Sequence, residues 1–186
     1  MRKRTNAQSA ALNARIEAAC RQLRLPTVRR LFDTMCDEAL RKQQSVREVL
    51  AELLDAELEE RLARRVTRRM HEASFPRHKS IDDFDFGKSP EVPAATVHEL
   101  LSGRYIDAAE GVIFVGDSGT AKSHLATGLG VAACQQGRRV RFVTAANLVN
   151  DLVEAKDGRA LGSMVRRYAR YELLLIDSCA APAYVQ

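Results

Sequence analysis

Residues 112–129 read VIFVGDSGTAKSHLATGL, and the fold of the second half of the chain turns on this stretch. Residues 112–115 are an apolar run of strand type, residues 116–123 carry glycine, lysine and serine, and the residues from Lys122 on read as a helix. The phosphate-binding loop pattern is G-x-x-x-x-G-K-[ST], set between a strand and a helix. Gly116, Lys122 and Ser123 match it, and Ala121 stands where the second glycine belongs. Such a loop turns its backbone N–H groups inward, because a triphosphate is held by many donors at once. Gly116 and Gly119 permit the tight path, Lys122 would reach the β- and γ-phosphates, and the Ser123 hydroxyl would ligate Mg²⁺. The N-terminal dipole of the helix adds positive potential. If Ala121 needs positive φ, its Cβ costs roughly 1–2 kcal/mol. A glycine-containing turn that carries Lys-Ser by coincidence is the competing reading, and the strand–loop–helix context makes it the minor one. The candidate nucleotide-binding residues are therefore Gly116, Asp117, Ser118, Gly119, Thr120, Ala121, Lys122, Ser123 and His124.

Downstream the alternation continues, with a strand RVRFVT, two helices and a last strand LLLID that begins 51 residues after Lys122. A hydrophobic strand ending in a carboxylate is how such folds set an acid beside Mg²⁺, so Asp177 joins Ser123 as a candidate metal ligand. Upstream, Val97, Leu100 and Leu101 mark another helix. Apolar strands alternating with helices predict an α/β fold with a parallel sheet covered on both faces.

The first part of the chain is helical by period. Val28, Leu31, Phe32, Met35, Cys36, Ala39 and Leu40 recur at three and four, after a Pro26 placed where a helix start tolerates it. A second helix opens at SVRE, where Ser45 caps and Glu48 reaches back. Its apolar stripe is Val46, Val49, Leu50, Leu53, Leu54, Leu58 and Leu62, and both stripes are expected to be core. Further along the same helix, Arg61, Arg64, Arg65, Arg68 and Arg69 share one face, an arrangement suited to DNA phosphates and equally to a solvated surface. No aromatic interleaves them, which argues against stacking on single-stranded bases. Residues 1–80 hold 18 Lys+Arg against 11 Asp+Glu, a net of +7, and residues 81–186 a net of −2. A basic unit that meets a polyanion, joined to a near-neutral one, is the expectation. The expected organisation is a helical DNA- or partner-binding domain over 1–74, a linker over 75–93 anchored by Ile81, Phe84 and Phe86, and an ATPase domain over 94–186.

With 186 residues, 46% of them hydrophobic, the chain can bury a core. The apolar runs are short and broken by charge, and the basic N-terminus lacks the apolar stretch of a secretory signal, so a cytoplasmic location without membrane contact is expected. Cys20, Cys36, Cys134 and Cys179 are scattered and read as reduced thiols, and His71, His78, His98 and His124 show no metal-ligand spacing.

The stretches FPRHKSIDDFDF, GDSGTAKSHLATGLGVAACQQGRRVRF, TAANLVNDL and YELLLID make the chain resemble the IstB-like ATPases, the transposition helpers of insertion sequences. These are AAA+ proteins similar to the DnaC helicase loader. The resemblance implies ATP- and Mg²⁺-dependent, homo-oligomeric assembly on DNA with a transposase. It also implies a glutamate directly after the strand aspartate, and Ser178 stands there instead. Serine is no base at neutral pH, so hydrolysis is expected to be deficient. The family's sheet order, 5-1-4-3-2, puts a fourth strand between GVIFVG and LLLID. No such strand follows in this sequence, so an incomplete, truncated ATPase sheet is the expectation, with Lys122 and Asp177 no longer joined through a shared neighbour. Two further readings stand beside this one: a non-catalytic remnant whose helical unit binds DNA or the transposase, and a DnaC-type loader.

Overall fold

The computed structural model describes residues 6–117 and 119–178. The chain divides into two compact units, Met1–Arg64 and Arg65–Gln186.

In the first unit, α1 (Asn6–Gln22) packs on α2 (Pro26–Lys42), and α3 (Val46–Ala73) begins. Pro26 occupies the first turn of α2, where its missing N–H would have had no partner. The expected capping box is formed: Ser45 N donates to Glu48 Oε2 at 2.6 Å and Glu48 N to Ser45 Oγ at 3.3 Å. No side chain at its own start caps α2. Glu57, from α3, does so instead, accepting from the backbone N–H of Thr27 at 2.8 Å and of Val28 at 3.1 Å. Its other oxygen holds Arg61 Nε at 2.9 Å. A carboxylate on the positive end of α2 thus satisfies two donors that the helix leaves open. Cys20, Phe32, Ala39 and Leu53 are the buried apolar residues of this unit among those described.

The stripe expected to be core on α3 divides. Leu53 is buried, whereas Val46, Leu50, Leu54, Leu58 and Leu62 face solvent, as does Leu40 on α2. Apolar period places residues on one side of a helix, but a face is buried only where a neighbour covers it, and α1 and α2 leave this row uncovered.

The second unit contains the end of α3, then α4 (Ala94–Leu100), α5 (Arg104–Asp107), α6 (Lys122–Gln135), β1 (Val140–Thr144), α7 (Ala145–Asp157), α8 (Leu161–Tyr168) and β2 (Leu173–Asp177). β1 and β2 are parallel, with Val140 opposite Leu173 and Thr144 opposite Asp177. Parallel pairing requires a crossover, which α7 and α8 provide. Ala73, Ala133, Cys134 and Val140 form one core, with Phe75, Leu173 and Leu175 packed against it. Gly130 lets α6 approach closely, since a Cβ there would lie 2.5 Å from Leu175 Cδ1. Burial pushes the Cys134 thiol up to about 11, as befits an inert packed cysteine. A second core holds Ile81, Phe84, Val97 and Leu125, with Phe86 against it, so the anchoring expected of residues 81–86 is the one observed.

Two expectations are corrected here. Residues 111–116 form no strand: Ile113 is 86% and Val115 91% exposed. A strand exists only through a ladder, and among the described residues the sheet is β1–β2 alone, with nothing paired to 111–116. β2 is also less buried than an aliphatic run predicts: Leu175 packs on α6 at Gly130, whereas Leu174 and Ile176, which point to the opposite face, are exposed. Among the described residues, no helix is long and apolar enough to cross a membrane.

Candidate functional site

The loop before α6 turns through two left-handed residues. Gly119 sits at φ 85°, and Ala121, the cap residue of α6, at φ 57° and ψ 18°, so the left-handed conformation is imposed on a residue with a Cβ. Lys122 opens the helix and folds back over the loop. Its Nζ donates to Gly116 O at 2.7 Å, Asp117 O at 2.5 Å and Thr120 Oγ1 at 3.2 Å. Thr120 Oγ1 in turn donates to Asp117 O at 2.8 Å, which closes the loop as a compact turn around the ammonium group. Ser118 lies outside the described residues.

Beside the loop is a cavity of about 640 Å³, lined by Lys122 and Ser123 from α6, Phe114 from the segment before the loop, and Leu175, Asp177 and Ser178 from β2 and its end. The structure therefore brings Lys122, Ser123 and Asp177 onto one cavity even though residues 112–115 are not paired into the sheet. β1 carries β2: Glu172 accepts from Arg139 N at 2.9 Å and meets Arg138, which also reaches Asp107 at 2.6 Å. The Arg139 N–H is the first cause that holds the Glu172 carboxyl below its ordinary value, with the Arg138 bond and charge acting the same way against partial burial. Glu172 also lines the cavity, and sequence reasoning missed these residues because their partners lie more than thirty positions away.

His124 faces elsewhere. Its Nε2 lies 2.9 Å from Ser80 O, and its ring meets Phe84 edge-on at 5.3 Å, tying α6 to residues 80–86.

The five arginines of α3 differ in their company. In the first unit, Arg61 pairs with Glu57 and also donates to Arg24 O, and Arg64 pairs with Glu60 at 3.1 Å. In the second unit, Arg68 stands 3.8 Å from Glu72, whereas Arg69, only 18% exposed, donates to Gly137 O and Glu72. Arg65 is exposed, with its side chain near Gly137.

A strand-borne carboxylate and a helix-capping loop with Lys-Ser, meeting on one cavity beside a parallel sheet, define a phosphate-binding-loop domain. Residues 18–183 match the family of IstB-like ATP binding proteins, and the chain belongs to it. A protein of Geobacillus stearothermophilus, named for ATP binding in insertion sequence IS5376, is 34% identical over 89% of this chain and 66% of its own length. One from Mycobacterium tuberculosis, likewise named for ATP binding in an insertion sequence, is 35% identical over 69% of this chain and 53% of its own. A third, from Sinorhizobium fredii, is 31% identical over 90% of this chain and 56% of its own. The chain thus spans between about half and two thirds of the length of these relatives.

Proposed function

We propose that the second unit binds ATP together with Mg²⁺ and that the chain acts as a helper in DNA transposition. The observation that carries this reading is the shared cavity of Lys122, Ser123 and Asp177. Lys122 would leave its loop carbonyls for the β- and γ-phosphates, and the N–H groups at the start of α6 would take the anionic oxygens. The donor set fits Mg²⁺, a hard cation that keeps waters and takes one or two protein oxygens plus phosphates; here these are Ser123 Oγ and Asp177. Bound there, Mg²⁺ would neutralise phosphate charge. Ser178 follows Asp177 where a base would be needed, and a serine hydroxyl does not accept a proton at neutral pH, so the bound nucleotide is held without turnover.

The test is thermal melting of the chain with and without Mg-ATP, read beside phosphate release. At a hundred times its Kd, nucleotide should stabilise the native state by about 2.7 kcal/mol, a rise of about 5–10 °C for a domain of this size. Phosphate release should stay at background. An unmoved melt would sink the ATP reading, and steady turnover would sink its hydrolysis-deficient part.

The partners in this reading are DNA, a transposase and further copies of the chain. The net +7 of residues 1–80 and the exposed guanidinium groups of Arg64, Arg65 and Arg68 support phosphate contact, with Arg61 and Arg69 more engaged inside the protein. Replacing Arg64, Arg65 and Arg68 with alanine should weaken DNA binding. It should also flatten the plot of log K against log salt by about 0.9 for each DNA phosphate left without its arginine. An unchanged slope would show that DNA is held elsewhere.

A further inference from the structure

Leu173, Leu174, Leu175 and Ile176 make up all of β2 before Asp177. Leu173 and Leu175 pack against the core of Ala133, Cys134 and Val140, while Leu174 and Ile176 on the opposite face are 36 and 55% exposed. Such a run does not choose its own register. Sliding β2 along β1 by one residue would bring Leu174 and Ile176 to the core face in place of two leucines, at little cost in burial. The same slide would turn Asp177 to the other face, because side chains alternate along a strand. In the observed register Thr144 lies opposite Asp177, and Asp177 meets Lys122 and Ser123 at the cavity.

The rest of the sheet leaves the register open. The strands are parallel and joined through α7 and α8, so no tight turn fixes their pairing. Among the described residues, β1 alone flanks β2. What distinguishes one register from the next is the acid directly before the aliphatic run. Glu172 Oε2 accepts from Arg139 N, directly before β1, at 2.9 Å. Its carboxylate also stands 3.4 Å from Arg138 Nη1 and 3.6 Å from Arg139 Nε. Arg138 is itself tied to α5, with Nη2 at 2.6 Å from Asp107 Oδ1. A slide of one residue would carry Glu172 about 3.3 Å along the strand and break this set of bonds.

We infer that Glu172 pins the register of β2 and is thereby a positioning residue that keeps Asp177 turned toward Lys122 and Ser123. The inference rests on the reading of Asp177 as a Mg²⁺ ligand of the ATP site.

Calorimetric titration of the full chain with ATP, once with Mg²⁺ and once with EDTA, tests it. The ratio of the two Kd values is the Mg²⁺ effect. Asp177→Asn should lose that effect. Glu172→Ala should reduce it about tenfold, as removal of a group that orients a metal ligand does. Binding in EDTA should be unchanged, since the loop bonds of Lys122 do not involve β2. Glu172→Gln keeps an oxygen for the Arg139 N–H and should retain most of the effect. A direct pull of the carboxylate on the metal would instead make Glu172→Gln as damaging as Glu172→Ala. Adding Leu174→Gln to Glu172→Ala should restore the effect, because a slide in either direction would bury the new amide on the core face.

A wild type without a Mg²⁺ effect, or an Asp177→Asn variant that keeps it, would sink the metal-site reading and this inference with it. With those two as expected, four results would overturn the inference alone. They are a Glu172→Ala variant with the full effect, equal losses in Glu172→Ala and Glu172→Gln, no recovery from Leu174→Gln, or ATP binding lost in EDTA as well.

Discussion

Replacing Lys122 with alanine is expected to abolish the whole upward shift that Mg-ATP gives to the melt, about 2.7 kcal/mol at a hundredfold excess over Kd. The expectation follows from what Lys122 touches. Its ammonium group is the only donor in the loop that already gathers three oxygens, those of Gly116, Asp117 and Thr120, among the described residues. A triphosphate offers the same group stronger, charged acceptors, and the exchange favours binding because charge-assisted hydrogen bonds are roughly twice as strong as neutral ones. The variant should also melt slightly lower without nucleotide, since the loop loses its own tie. That loss stays near 1 kcal/mol because the bonds are at the surface, where water replaces them. Differential melting with and without Mg-ATP separates the two effects. A variant that still shifts like the wild type would show that nucleotide binds away from this loop.

The second large effect is expected in the first unit. Glu57→Ala should destabilise it by about 2–4 kcal/mol, the cost of leaving two N–H donors at the start of α2 without their charged acceptor, while the half-exposed Arg61 is taken up by water. The side chain of Glu57 is 3% exposed, and its loss would leave the N–H groups of Thr27 and Val28 without acceptors inside the protein. Glu57→Gln keeps the shape and part of the bonding and should cost about 1–3 kcal/mol. The same carboxylate makes the unit acid-sensitive. Burial pushes its pKa up, but the bond from Arg61, the N–H groups of Val28 and Thr27 and the Arg61 charge together bring it below the ordinary glutamate value of 4.5. A lowered folded-state pKa means stability that is fully present above that ordinary value and is lost as pH falls through the folded one. Urea unfolding followed by circular dichroism across that range should show wild-type stability falling with acid more steeply than that of Glu57→Gln. Parallel acid slopes would remove Glu57 from the account.

Much of the site was legible because it is local. The loop, the start of α6 and the capping box at Ser45 and Glu48 depend on residues within a few positions of one another, so spacing alone reveals them. β1 was legible as the strand-type stretch RVRFVT, β2 as an aliphatic run, and Asp177 as the polar end of the latter. His124 was not, because proximity to Lys122 in sequence says nothing about which way a helix turns its side chain. Here the ring points to Ser80 and Phe84. Glu57 was not legible at all, since its role depends on a helix start thirty residues earlier.

From the order of its residues alone, the chain has a phosphate-binding loop between apolar runs, a helical basic first part, and the pattern of the IstB-like family. Each follows from short-range chemistry: backbone conformation, helix period and the reach of one side chain. Tertiary structure alone decided which apolar residues are covered. It left 112–115 unpaired, set Lys122 and Asp177 on one cavity, and turned a row of leucines on α3 outward. Burial and strand pairing are properties of neighbours, and neighbours distant along the chain are chosen only when the whole of it packs.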